Sequence, residues 1–520
     1  MDVEDGTRVP PGHYELGGRF FPNRTWYKDS GMRKLYFYVF VLLMTSATNG
    51  YDGSMMNALQ SLSWWQNYFD HPSGSILGLF SAIMSVGSIV ALPIVPYIPD
   101  LFGRRWGIII GSLIMILGVG LQTGAPNFHM FIAARFLLGF GNAIATGSAP
   151  LLITELAHVQ HRPIVSTMYN TFYYVGAVTA AWATYGTLKI DNDWSWRLPS
   201  LLQCVFSVFQ FTFIWFVPES PRYYIAKEKH EKALNVLAKY HANGDENDEV
   251  VQLEYLEIQN AIAMDRSVNN DWHAWLELFQ TKGNRKRLII LVSAGFFSQW
   301  SGNGLVSYYI NLILTNIGMT NANTQLIVNG CLTTFGGLVA FNMSFFVERI
   351  GRRMLFLVAT GGMVICFTVW TILSARYNIA GDAGVGKGVV VMIFVFMFFY
   401  NISWSGLLIS YTCEILPFRI RAKGMTIVFL CVDGALFFNQ YVNPVALDNL
   451  GWKYYIFYCV WLVFEFLVVY FFYVETRKTP LEEITKFFDG EDAAADILDM
   501  SGIQKADKVE LEHLDAVSTR

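Results

Sequence analysis

Two charged residues stand inside otherwise apolar stretches of this chain, and they are the residues best placed to do chemistry. Asp52, in NGYDGSMM, follows about fifteen almost uninterrupted apolar residues that begin at Leu35. Arg135, in AARFLLGFG, is the only strong base inside any apolar stretch of the first half. A charge at such a depth costs about 2.5–3.5 kcal/mol on insertion scales, so each is best explained by the other. A carboxylate there is pulled one way by the arginine and the other by lost hydration, and it can change protonation as its surroundings open and close. Asp52 is therefore read as a proton-coupling group modulated by Arg135. The plainer alternative is a static ion pair that orients two helices. Asp433 is a second buried-type carboxylate without an identifiable basic partner.

A second set of residues is polar but neutral: Asn170, Gln299, Asn303, Asn401, Asn439 and Asn443, accompanied by Trp300, Tyr308, Tyr309 and Trp404. Amides offer donor and acceptor together, and rings offer flat walls with a polar edge. That combination suits a ligand with many hydroxyls and a few apolar C–H faces, such as a sugar, and a site that pairs a hydroxyl rejects analogues lacking it. Gln299 and Asn303 are four residues apart and are expected to share one face of a continuous helix. Hydrogen bonding between helices is the competing use of every one of these amides. The nine histidines are scattered, mainly in loops, and no nucleophile–base pair or metal-ligand cluster emerges, so neither a cofactor nor an enzyme is expected.

The elements that must position these groups are membrane spans. Of 520 residues 53% are hydrophobic and 15% charged, against roughly 25% charged in soluble chains. Apolar runs recur at the ~20-residue length that crosses a hydrocarbon core as helix. Spans are read near 35–58, 76–97, 106–124, 128–151, 166–188 and 199–217, and again near 288–314, 325–347, 354–373, 388–411, 425–445 and 454–473, which makes twelve. Lys and Arg concentrate in alternate connections, which places both termini in the cytoplasm. The net charge of −4 gives nucleic acid no support, and the six cysteines fall in or beside spans, as buried thiols would. The polar first thirty residues lack a cleavable signal pattern, so the first span is expected to direct its own insertion.

The two sets of six spans carry the same charges in the same order. DLFGRR (100–105) answers ERIGRR (348–353), TELAHVQHR (154–162) answers CEILPFRIR (413–421), and PESPR (218–222) answers VETRK (474–478). Three acidic-and-basic clusters in register, twice, indicate duplicated six-span units, the construction of carriers that rock about a midplane site. Asp100, Arg104, Glu155, Arg162, Glu219, Arg222, Glu348, Arg352, Glu414, Arg421 and Glu475 are read as a cytoplasmic gate whose charges pair across the halves when the site faces outward and separate when it faces inward. Enforcement of topology alone would explain the arginines but not the carboxylate beside each cluster.

PESPR, the paired GRR loops, the two E-x-x-x-x-x-x-R loops and SGNGLVSYY (301–309) resemble the sugar porters of the major facilitator superfamily over nearly all of 35–480. YDGSMM, WSWRLPSLLQ and KYHANGD further resemble the fungal lactose permeases and cellodextrin transporters. The resemblance implies an all-α membrane protein of two pseudo-symmetric six-helix bundles. These would be a cytoplasmic segment 1–34, bundles at 35–217 and 288–474, a cytoplasmic linker with short helices at 218–287, and a tail at 475–520. It implies proton symport through an aspartate at position 52 paired with Arg135, although some facilitative members keep that aspartate. It also implies sugar contacts at Asn170, Gln299, Asn303, Tyr308, Tyr309, Asn401, Trp404 and Asn439. Ser298 and Gly304 depart from the family pattern in ways that leave room for a second sugar ring. The expectation is a monomeric plasma-membrane carrier in the lipid bilayer, taking a β-linked disaccharide such as lactose or cellobiose together with protons. A facilitative hexose uniporter is the alternative. A nutrient sensor would want a longer tail, and a lipophilic-cation antiporter would want unpaired carboxylates.

Overall fold

The computed structural model describes residues 12–16, 19–267, 273–343, 346–416, 418–477 and 488. The first six spans are Ser30–Leu59, Gly74–Ala91, Arg104–Thr123, Phe128–Leu156, Arg162–Thr187 and a jointed sixth made of Trp194–Leu202 and Cys204–Phe213. The second six are a broken seventh, Lys282–Trp300 with Asn303–Asn316, then Ala322–Met343, Arg352–Ala380, Ala383–Ser403 continued by Leu407–Ile415, Phe418–Leu450 and Tyr454–Phe472. Asp29 starts the first span by accepting from the Met32 N–H, and Asn127 caps the fourth in the same way through Met130.

Eight stretches among the described residues are long and apolar enough to cross a membrane on composition alone, and the last of these runs through spans 11 and 12. Spans 1, 5 and 7 are the three left out. They hold Asp52, Asn170 and Gln299 and are too polar to face lipid all round, which marks them as the inward-facing helices. Spans 1 and 5 touch at backbone distance: a Cβ on Gly50 would stand 1.8 Å from the Tyr173 carbonyl, and one on Gly176 1.8 Å from that of Ala47. This contact carries Tyr173 and Tyr174 to the edge of the Asp52 site.

The linker folds as Pro221–Ala226, His230–His241, Glu249–Ser267 and His273–Gln280. It is joined by a hairpin, His13–Leu16 with Arg19–Pro22, that the polar composition of the first thirty residues did not foretell. Arg24 fastens this N-terminal segment to the linker through Asp248 at 2.6 Å and the His241 carbonyl at 2.6 Å. Beneath it His241 Nδ1 meets Glu254 at 2.7 Å, and Arg162 reaches the other oxygen of Glu254 at 2.8 Å. Burial works against both charges, but each holds the other: His241 sits above the usual imidazole range and Glu254 below the usual carboxyl range.

His158 packs edge-on to His241, fully buried, and burial together with His241 pushes it down to about 3. A histidine lowered in this way adds no loss above pH 6.5. Below it, the unfolded chain takes up a proton that the folded cluster refuses, and stability falls by up to about 1.4 kcal/mol per pH unit. The purified protein should therefore melt at progressively lower temperature between pH 6.5 and 5. His158→Asn keeps an acceptor for the Gln160 N–H and should flatten that slope. Equal slopes in the two proteins would show that His158 does not set the acid sensitivity of this docking site.

Candidate functional site

Asp52 and Arg135 come together as their sequence setting predicts. Arg135 Nη1 lies 2.5 Å from Asp52 Oδ1, and each side chain is 2% exposed. A third member was not anticipated. Gln203, at the joint of span 6, donates its amide to the same Asp52 oxygen at 2.7 Å. Its position follows from the chain: Pro199 interrupts span 6, Tyr51 donates to the Pro199 carbonyl at 2.9 Å, and Gln203 falls one turn on. Asp52 Oδ2 is buried and has no partner. One oxygen is thus engaged by a cation and an amide while the other is buried without a partner. A turn away, Asn142 donates to Asn49 at 3.2 Å, a polar pair that the sequence reading also missed.

The halves meet along spans 1 with 7, 2 with 11 and 5 with 8. Away from the linker, Asn57 bonds Asn329 at 3.1 Å, Gln60 bonds the Tyr308 carbonyl at 3.0 Å, and Trp182 bonds Thr334 at 3.2 Å. At mid-depth Tyr174 donates to Asn401 at 2.5 Å and Ser85 to Gln440 at 2.7 Å. These polar contacts close the side away from the linker.

The continuous seventh helix expected from the spacing of Gln299 and Asn303 is corrected. Gly302 adopts φ 93°, a left-handed value, and the span breaks between Trp300 and Asn303, so the two amides do not share a face. Gln299 keeps accessible surface, while its backbone carbonyl accepts from Asn439. Asn303 turns inward and ties the break, donating to Tyr400 Oη at 3.0 Å and to the Ser298 carbonyl at 3.3 Å. Asn439 is spent inside its own half on Gln299, Asn443 and Tyr458. Tyr309 donates to the Gln440 carbonyl. Trp404 is 1% exposed, walled by Phe297, Phe356 and Tyr473. In this conformation Asn303, Tyr309, Asn401, Trp404 and Asn439 are buried inside the bundles, with the Asn303 side-chain carbonyl oxygen left without a partner. Asn170, Gln299 and Tyr308 retain surface. Asn170 lies four residues before Tyr174 and so on the face turned toward the second half.

The charge clusters at the linker end form two matching constellations. Glu219 accepts from the backbone N–H of Arg104 at 3.0 Å and of Arg105 at 3.1 Å. Glu475 accepts from Arg352 at 2.9 Å and Arg353 at 3.1 Å. Each carboxylate sits at the start of a helix, where the dipole favours it. Arg104 then reaches Glu155 at 3.1 Å, as Arg352 reaches Glu414 at 3.0 Å, with exposed Asp100 3.5 Å from Arg104. The glycine of each GRR loop is required twice over. Gly103 and Gly351 have φ of 108° and 103°, and a Cβ on them would come within 2.3 and 2.7 Å of Glu219 and Glu475. In this conformation each described pair of the GRR clusters lies within one half. Arg162 belongs to Glu254 of the linker, and Arg222 is exposed. The side chains of Glu348 and Arg421 lie outside the described residues.

Twelve spans in two matching halves, a buried acid–base pair and a broken seventh span define a membrane transporter of the major facilitator fold. The chain belongs to the sugar (and other) transporter family, whose family model matches residues 38–488. It is 26% identical over 485 residues to a high-affinity glucose transporter of Kluyveromyces lactis, covering 89% of this chain and 87% of that protein. It is also 26% identical over 440 residues to the MFS-type transporter criB of Aspergillus cristatus, covering 85% and 90%. In fold it is similar to the xylose transporter XylE from E. coli in its inward open conformation, with a TM-score of 0.71 at 19% identity over 88% of this chain and all of that one. The proton:xylose symporter XylE bound to 6-bromo-6-deoxy-D-glucose gives a TM-score of 0.70 at 20% identity over 88% and 100%.

Proposed function

We propose that this chain carries a neutral sugar, a β-linked disaccharide of the lactose or cellobiose kind, across the plasma membrane in symport with protons. The observation that carries the coupling is Asp52, with one oxygen held by Arg135 and Gln203 and the other buried without a partner. Asn170, Gln299 and Tyr308 take the sugar between the halves, and the buried amides join them as the bundles rearrange. Tyr174–Asn401 and Ser85–Gln440 close above it. The two charge clusters form the cytoplasmic gate, each keeping its own half rigid as it moves, with the linker and both termini in the cytoplasm. The glucose transporter among its relatives supports the sugar class, and it keeps a hexose uniporter as the second reading.

Uptake of labelled glucose, lactose and cellobiose by transport-null cells, with and without a protonophore, tests the proposal. Protonophore-sensitive accumulation of a disaccharide is expected. Equilibration of glucose alone would establish the uniporter instead. Gln299→Ala should raise KM about two- to tenfold, since a lost hydrogen bond is worth roughly 0.5–1.5 kcal/mol. An unchanged KM would place the sugar elsewhere.

A further inference from the structure

Span 12, Tyr454–Phe472, buries a carboxylate that neither the ion pairs nor the amide site uses. Glu465 is 0% exposed and forms no ion pair among the described residues. Its Oε2 lies 2.9 Å from Ser301 Oγ, and its Oε1 is buried without a partner. Trp461, one turn earlier on the span, points its indole N–H toward it. The titratable groups that face it are the phenols of Tyr400, Tyr458 and Tyr473. None of these can supply positive charge.

Ser301 has two oxygens within reach of a single hydroxyl hydrogen. Ser301 has one hydroxyl hydrogen, and its oxygen lies 2.5 Å from the Phe297 carbonyl, which can only accept. With that hydrogen on the shorter contact, a hydrogen carried by Glu465 makes the contact at 2.9 Å a hydrogen bond as well. An ionised carboxylate could not provide it, and an unpaired ion in this setting would carry the cost of a buried charge.

Ser301 is also the hinge of span 7. It ends the helix Lys282–Trp300, it precedes Gly302 with its left-handed φ of 93°, and a Cβ on Gly302 would lie 2.6 Å from the Phe367 ring. The helix beyond the hinge, Asn303–Asn316, carries the Tyr308 carbonyl that Gln60 holds across the halves. A hydrogen bond at Ser301 therefore acts where this outer helix would swing.

We propose that Glu465 is a second proton site, separate from Asp52, whose bound proton holds the Ser301–Gly302 hinge in the shape that seals the side away from the linker. When that side opens, Ser301 leaves Glu465, water reaches the carboxyl group and the proton departs to the side from which it came. The proton bound at Glu465 then sets how often the outer helix opens, without being carried across. The inference rests on the reading that the halves alternate, not on which sugar is moved or on coupling at Asp52.

The test uses the full-length chain in phosphatidylcholine nanodiscs, with no substrate. The infrared spectrum of the wild type near neutral pH should contain a protonated-carboxyl C=O band that Glu465→Gln removes. Ser301→Ala should shift that band by removing the acceptor. Hydrogen exchange in peptide 303–316, corrected for its intrinsic pH dependence, should speed up severalfold as pH rises in the wild type and stay level in Glu465→Gln. A wild type minus Glu465→Gln spectrum without the band would overturn the proposal, as would a band unmoved by Ser301→Ala or identical pH responses in exchange. Loss of sugar uptake, or a result at Asp52 contrary to expectation, would count against the proposed function and leave these readouts untouched.

Discussion

Asp52→Asn is expected to abolish accumulation of sugar against its gradient while sugar-for-sugar exchange continues. The amide has the shape of the protonated carboxyl group and its oxygen can still accept from Gln203 and Arg135, so the site keeps its volume and both of these bonds. It cannot release a proton, and nothing then ties uphill sugar movement to the proton gradient. Exchange needs no deprotonation and should survive. The informative quantity is the steady-state accumulation ratio with and without a protonophore, wild type beside variant. A fall to unity in the variant is expected. Protonophore-sensitive accumulation in the variant would move the coupling proton elsewhere, and a wild type that never concentrates sugar would make Asp52 a structural partner of Arg135. Asp52→Ala is a poorer test, because it leaves a buried guanidinium unpaired at a cost of roughly 3–5 kcal/mol.

Reversing a gate arginine should be almost as severe. Arg104→Glu would set a carboxylate against Glu155 and beside the helix start that Glu219 occupies, and Arg352→Glu would do the same to Glu414 and Glu475. Losing a half-buried, hydrogen-bonded partner costs about 2–5 kcal/mol, and the like charge adds to it. Transport should fall more than tenfold at measurable surface expression. The double variant Arg104→Glu with Glu155→Arg should recover part of it, because the pair lies within one half and can be exchanged in place. Normal transport by both single variants would reduce the clusters to topology signals.

The architecture was readable wherever a pattern repeats. Two GRR loops, two loop glutamates and two carboxylates after the sixth span of each half announce the duplication, and the structure supplies the reason for their spacing in Glu219 and Glu475 capping equivalent helices. Asp52 with Arg135 was readable because a lone acid and a lone base share one apolar half. The break in span 7 was not: SGNG reads as a helix with small residues, and only the left-handed φ of Gly302 turns Asn303 away from Gln299. Gln203 was missed because a single amide in an apolar span carries no direction. Glu465 could have been found, since FEFLVV places an acid at the centre of the most hydrophobic span, the setting that marked Asp52. The hairpin at 13–22 depends on the linker for its docking, a partner more than two hundred residues later.

The inward-facing spans also govern how the chain is made. Spans 1, 5 and 7 are not among the stretches apolar and long enough to cross a membrane on composition alone, and the first of them emerges while its base, 83 residues downstream, is still unsynthesised. Until span 4 is made, span 1 carries its acid uncompensated. A ribosome stalled before Arg135 therefore leaves a nascent chain whose first helix is poorly anchored and open to quality control.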